Sequence, residues 1–338
     1  MPIPLVALQM DYANLSTFTS PVILFFVLGL LAAFLRSDLA IPEALAKGMS
    51  LYLMAAIGLK GGVAVAKSGV DGQIAAALTL GIVASLLLPI LAYGALRLFA
   101  RLDQINAGAV AAHYGSVSVV TFVTANEILG GNGLPVAGYM VAVLSVMETP
   151  AILTGLLLAR RGMSGASEGQ PRSEMLREVF LNASVVLLLG SFAIGVIAGP
   201  SGYKDVQPLF DSGFKGVLCL FLLDMGLIAA RRIMSTRALN PRLVLLAILF
   251  PLVNGMLGLL AGHAIGLESG SLAIFAVLCA SASYIAVPAA MRLALPKADP
   301  GIYLTMSLSI TFPFNILLNI GLIAAATRML GAGQGIAP

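Results

Sequence analysis

The chain has 338 residues, of which 59% are hydrophobic and only 10% charged, against about 25% charged in a soluble domain. So little charge excludes a water-facing globule, and the formal net charge of +4 is read as Lys and Arg in cytoplasmic loops rather than as a nucleic-acid surface. Two cysteines and two histidines, with no HExxH and no CxxC, leave little for a disulfide framework or a ligand-rich metal centre.

Apolar stretches near the roughly 20 residues that span a bilayer core recur along the whole length. They predict ten helices: 20–36, 41–66, 74–100, 105–128, 136–160, 175–199, 206–232, 242–266, 271–295 and 300–328. No signal peptide is expected, because residues 1–19 hold no Lys or Arg before the first apolar run. The longest loops, 161–174 and 233–241, are short and polar. Ten spans place fourteen Lys and Arg on one side, mostly arginines, and five on the other: Lys60, Lys67, Lys204, Lys215 and Arg328. The richer side is expected to be cytoplasmic, with both termini outside a bacterial inner membrane.

The two halves resemble one another. LAKGMSLYLMAAIGL at 45–59 aligns with GFKGVLCLFLLDMGL at 213–227, GSVSVV at 115–120 with ASASYI at 280–285, and YMVAVLS at 139–145 with YLTMSLS at 303–309. All three matches keep their order. A unit with an odd number of spans must have its copy inverted, an arrangement typical of secondary transporters with a site near the midplane. The expected organisation is therefore a first repeat over 1–160, a cytoplasmic linker over 161–174 and a second repeat over 175–338.

Spans four and nine are expected to break at mid-membrane. The first carries Gly115-Ser116-Val117-Ser118, and the second carries Ser281, Ser283 and Pro288. Glycine relaxes the backbone, and proline removes a helical hydrogen bond. Half-helix N-termini meeting at one spot suit an anion without a charged side chain. Gly115, Ser116, Ser118, Thr121, Ser281, Ser283 and Tyr284 are the candidate anion ligands. Close packing of small residues is the competing reading of the same pattern.

Ionisable groups are costly at membrane depth and therefore candidates for function. Glu148, followed by Pro150, suits a sodium ligand or a titrating carboxylate, with Ser118, Ser283 and Asn315 as companion oxygens. Asp224 and His113 are weaker candidates. Lys60 is expected to snorkel to the outer interface.

IPEALAKGMSLYLMAAIGLKGG at 41–62, HYGSVSVVTF at 113–122 and SASYIAVPAAMRLALPKADPGIYLTMSLSITFPFN at 281–315 resemble the sodium-dependent bicarbonate transporter family. The resemblance covers nearly the whole chain. It implies an elevator-like secondary transporter, usually a homotrimer, in which a core domain moves against a gate domain made of the first two spans of each half. It also implies bicarbonate and sodium beside the broken helices, at 115–121 and 281–288, with Glu148 matching the family's carboxylate in its fifth span. Cyanobacterial members tend to carry Asp there, and a Gly-Ser pair where this chain has Val119-Val120. A small cytosolic nucleotide-binding regulator of the PII type is a further implied partner, although 161–174 is shorter than the corresponding family loop. No cofactor is expected, and sodium enters as a co-transported ion. The competing functions are carriage of another small anion such as a short carboxylate, proton coupling through Glu148, and a passive anion channel. An intramembrane enzyme is disfavoured by the lack of HExxH and GxGD signatures.

Overall fold

The computed structural model describes residues 20–68, 72–160, 183–235 and 240–332; the expected linker at 161–174 lies outside them. The described residues form helices and no strands. In chain order these are α1 (Pro21–Phe34), α2 (Glu43–Ser68), α3 (Gly72–Leu98), α4 (Gln104–Gly115), α5 (Val119–Gly131), α6 (Met140–Arg160), α7 (Ala183–Gln207), α8 (Phe214–Ser235), α9 (Pro241–Ala264), α10 (Ser269–Ala280), α11 (Ala286–Ala294) and α12 (300–332).

Seven segments are long and apolar enough to cross a membrane, which makes the chain a multi-pass membrane protein. Three of the ten expected spans differ for separate reasons. The first is a helix of only 14 residues. The seventh, now α8, carries Lys215, Asp224, Arg231 and Arg232, too much charge for an ordinary span. The ninth is divided into α10 and α11 by a break at 281–285. The sixth span also runs further than expected. Gly199 sits at φ 60°, outside helical geometry, but Pro200 restarts the helix and a π-helical turn extends it over Pro208–Ser212. Proline suits the first turn of a helix, where its missing N–H has no acceptor to lose.

The first two and the middle two helices exchange partners: α1 packs along α8, and α2 along α7. Both seams are held close by glycine. A methyl group on Gly29 would lie 2.1 Å from the Leu223 carbonyl oxygen, and one on Gly62 would lie 2.0 Å from that of Phe192. Close backbone approach through small residues replaces the hydrophobic drive that lipid does not supply. Against this panel sits a second body in which α3 and α6 flank α4, and α9 flanks α10. Every residue of α10 from Gly270 to Ala280 is buried, as is α4 from Ala107 to Gly115, so the broken helices form the interior.

In α12 the helix widens into π turns at Thr305–Thr311 and Asn315–Asn319, on either side of Pro313. A proline that cannot donate to the ladder is accommodated by this local respacing. Where Pro251 of α9 deprives the Ala247 carbonyl of its helical donor, the Thr311 hydroxyl supplies one, and Thr311 also shares a 2.7 Å hydrogen bond with the Tyr114 hydroxyl.

Candidate functional site

Both broken helices stop after a 12-residue first half, α4 at Gly115 and α10 at Ala280. The next residue is a serine with nearly the same extended backbone in each: Ser116 at φ −84°, ψ 169° and Ser281 at φ −79°, ψ 164°. The two breaks are hydrogen-bonded to one another. Ser118 N–H donates to Ser281 Oγ at 3.0 Å, and Ser283 N–H donates to the His113 carbonyl at 2.9 Å. Unwound backbone at membrane depth needs partners inside the protein, and here each break supplies them to the other.

Local side chains settle most of the remaining polar groups. Ser118 caps α5 by accepting from Thr121 N–H at 3.1 Å. Ser116 Oγ donates to the Glu148 carbonyl at 3.1 Å, and Ser281 Oγ to that of Leu278 at 2.8 Å. Asn315 donates to the Ala280 carbonyl at 3.0 Å and accepts from Asn319 at 2.8 Å. The first turn of α5 leaves the N–H groups of Val119 and Val120 without intrahelical acceptors.

A cavity of about 10 Å³ opens at the crossing, lined by Met54, Val117, Ser118, Val119, Glu148, Ser283, Tyr284 and Ile285. That is room for about one water-sized body. Its polar lining residues are Glu148, Ser118, Ser283 and Tyr284. The Tyr284 hydroxyl neighbours Ser118 but has no partner within hydrogen-bonding geometry. Hard oxygens of this kind suit a small alkali cation, while the start of α5 presents positive dipole ends.

The expected ligands divide accordingly. Ser118, Ser283, Tyr284 and Glu148 are brought together on the cavity wall. Ser116, Thr121, Ser281 and Asn315 stand behind it and hold the breaks in shape. Gly115 faces Pro89, where a methyl group would lie 2.1 Å from Cγ. His113 is wholly buried, its Nδ1 is 2.7 Å from the Ala109 carbonyl and its ring stacks on Tyr303. With Nδ1 donating to that carbonyl, Nε2 is left as an acceptor with no hydrogen-bond partner. Asp224 is buried on α8 and is not part of the cavity wall. Lys60 does not simply reach for the interface: it pairs with Asp211 at 2.5 Å and lies over the Phe214 ring.

Ser85 is the residue that the sequence reading missed. Its buried hydroxyl enters the α6 ladder one turn before Ala151, donating to the Met147 carbonyl and accepting from Ala151 N–H at 3.1 Å. It thereby shapes the turn that carries Glu148 and Pro150. The signal was present as the one hydroxyl in the otherwise apolar run LGIVASLLLPI at 80–90. Among the described residues no three His, Cys, Asp or Glu side chains gather as a metal cluster.

Paired broken helices inside a multi-pass helical body define a membrane transporter architecture. The chain matches the family model of the Na+-dependent bicarbonate transporter superfamily over residues 21–328. It belongs to that superfamily and is a transporter, not an enzyme. No curated protein matches the sequence.

Proposed function

We propose that this protein imports a small anion, bicarbonate, together with sodium, by alternating access in a ten-span fold of two inverted five-helix repeats. The observation that carries the reading is the crossing itself: two breaks with matching backbone, hydrogen-bonded to each other, around a cavity that holds a carboxylate, two serine hydroxyls and the start of a helix. The reciprocal seams α1–α8 and α2–α7 support the repeat, since exchanging equivalent helices converts one seam into the other. They also support a gate built of those four helices and a core built of the rest. The arginine-rich ends lie inside, and both termini lie outside.

At about 10 Å³ the cavity admits a dehydrated sodium ion and not a larger anion. Bicarbonate therefore joins when the core and gate separate. Sodium coupling has an electrical reason: moving one negative charge inward against an inside-negative potential costs about 2.3 kcal/mol per 100 mV. One accompanying sodium cancels that cost and leaves its concentration gradient as the drive.

A second reading, carriage of a short carboxylate, is favoured by the apolar share of the wall, Met54, Val117, Val119 and Ile285, which offers no partner to a third polar oxygen. The deciding experiment is uptake of labelled bicarbonate by proteoliposomes with and without an inward sodium gradient, with formate and acetate as competitors. Sodium-dependent accumulation blocked poorly by either carboxylate is expected. Accumulation of acetate in preference to bicarbonate would replace the cargo, and dissipation without accumulation would make the protein a channel.

A further inference from the structure

An open vestibule of about 650 Å³ lies between α2, α5, the turn at Pro208–Ser212 and α8, and two ion pairs line it. Lys60 Nζ is 2.5 Å from Asp211, and Lys215 Nζ is 3.1 Å from Glu127 Oε2. The charges balance two against two, so the vestibule has no excess positive field to gather anions. The pairs differ in what they join. Lys60 and Asp211 both belong to the panel of α1, α2, α7 and α8 with its connecting turn. Lys215 on α8 reaches Glu127 on α5, which begins at the first break. Of the three ion pairs among the described residues, this one alone ties the panel to a broken helix.

The repeat gives this contact a counterpart at the other end of the molecule. The alignment of 45–59 with 213–227, at a separation of 168, sets Lys47 on Lys215 and Glu43 on Asp211. The alignment of the breaks, at a separation of 165, sets Arg292 of α11 on Glu127. The broken-helix partner thus changes sign between the halves. At the place of Lys215 the panel offers a second cation, Lys47, and the acid one turn away that can answer a cation at 292 is Glu43. In this structure Glu43 is held by Lys47 at 2.7 Å within its own helix, and Arg292 lies beside Tyr303.

We propose that Lys215–Glu127 and Glu43–Arg292 are two alternating ionic latches between panel and core, the first closed in this conformation and the second closed in the opposite one. The inference rests on the inverted-repeat, alternating-access reading above. When Glu127 withdraws, Lys215 can share Asp211, four residues earlier in the chain, with Lys60. When Arg292 arrives, it takes Glu43 and leaves the exposed Lys47 to water.

Two cysteine pairs test the geometry in membranes: Lys215→Cys with Glu127→Cys, and Glu43→Cys with Arg292→Cys, each against its single variants. Both pairs are expected to form disulfides on mild oxidation, and sodium is expected to raise one yield while lowering the other. In the fourfold variant, closing the first pair should block the second. A disulfide in the first cysteine pair with none in the second under any sodium condition overturns the alternation. The ionic character is tested by charge exchange. In the Glu43→Cys/Arg292→Cys background, Lys215→Glu or Glu127→Lys alone should raise the yield of that disulfide by up to about fivefold, the scale of an exposed ion pair, and the double exchange should return it. A double exchange no better than the singles overturns the latch. Cross-linking is read without cargo, so it stands whether or not bicarbonate is the substrate, while a failure of alternating access would show as uptake that survives locking of either pair.

Discussion

The two breaks share a backbone path but are held open by different chemistry. At the first, Gly115 presses on Pro89, Ser118 caps the following helix tightly, and the neighbouring turn of α6 brings a carboxylate, Glu148, to the cavity. At the second, Ala280 stands in the place of Gly115, α11 starts from Ile285 with no side-chain cap, and the orphan carbonyl of Ala280 is met by the Asn315 amide. The Ser283 hydroxyl lies 3.5 Å from Val287 N–H, a longer contact than its Ser118 counterpart. Duplicated geometry therefore does not mean duplicated roles: the first break has a close serine cap and a carboxyl group, the second a longer serine contact and amides.

The most damaging way to test this contrast is at its packing. Gly115→Ala would put a methyl group 2.1 Å from Pro89 Cγ and 2.3 Å from Cδ, with the Ala151 methyl 3.0 Å away. Overpacking of this kind costs about 1–3 kcal/mol and sometimes more. Thermal unfolding of the purified protein in detergent should show a large loss. Ala280→Gly, at the equivalent place in the second break, removes a methyl and should cost about 1 kcal/mol or less. Equal losses would mean that the breaks are packed alike.

Next in size is the amide support. Asn315→Leu leaves the Ala280 carbonyl buried without its donor and takes from Asn319 one of its two acceptors, the other being the Pro251 carbonyl, a penalty of about 1–3 kcal/mol. The same unfolding measurement checks it. A neutral result would show that water enters the second break and satisfies the carbonyl.

How much of this was legible beforehand follows from what each feature depends on. The breaks were readable because Gly115, the serine pairs and Pro288 act through their own backbone preferences, and the chain stops being helical close to where those residues fall. The carboxylate was readable because Glu148 is costly wherever it sits in an apolar run. What sequence could not supply was the division of labour among the serines. Ser116 and Ser118 look alike in the run GSVSVV, yet one bonds to α6 and the other faces the cavity. That depends on which helix lies alongside, and therefore on tertiary packing. The role of Ser85 was hidden for the same reason, because its partners are 62 and 66 residues away. The sixth span was misplaced because Gly199-Pro200 looks like a helix end, whereas here the helix kinks at the glycine and restarts at the proline.

Smaller effects separate the two caps. Ser118→Ala removes a hydroxyl that caps α5 at 3.1 Å and should cost about 1 kcal/mol of stability. Ser283→Ala gives up a contact at 3.5 Å and should cost less. Both line the cavity, so both should weaken uptake by raising the concentration of cargo or sodium needed for half-maximal rate. Uptake kinetics unchanged in both variants would remove the crossing from the transport site.

The smallest expected change in stability belongs to Glu148→Gln, which keeps the side chain's shape and exchanges a buried charge for a neutral amide. Desolvating a carboxylate opposes folding, so unfolding should hardly move or should improve. If the charged character of the first break serves coupling, the loss appears elsewhere: uptake should lose its saturable dependence on sodium while the protein remains folded. The matching variant on the other side, Asn315→Asp, adds a carboxylate where amides now serve and should not restore that dependence, because Asn315 stands behind the Ala280 carbonyl and not on the cavity wall. A sodium curve unaltered in Glu148→Gln would leave the two breaks different in packing alone, and the charge at the first would then need a purely structural explanation.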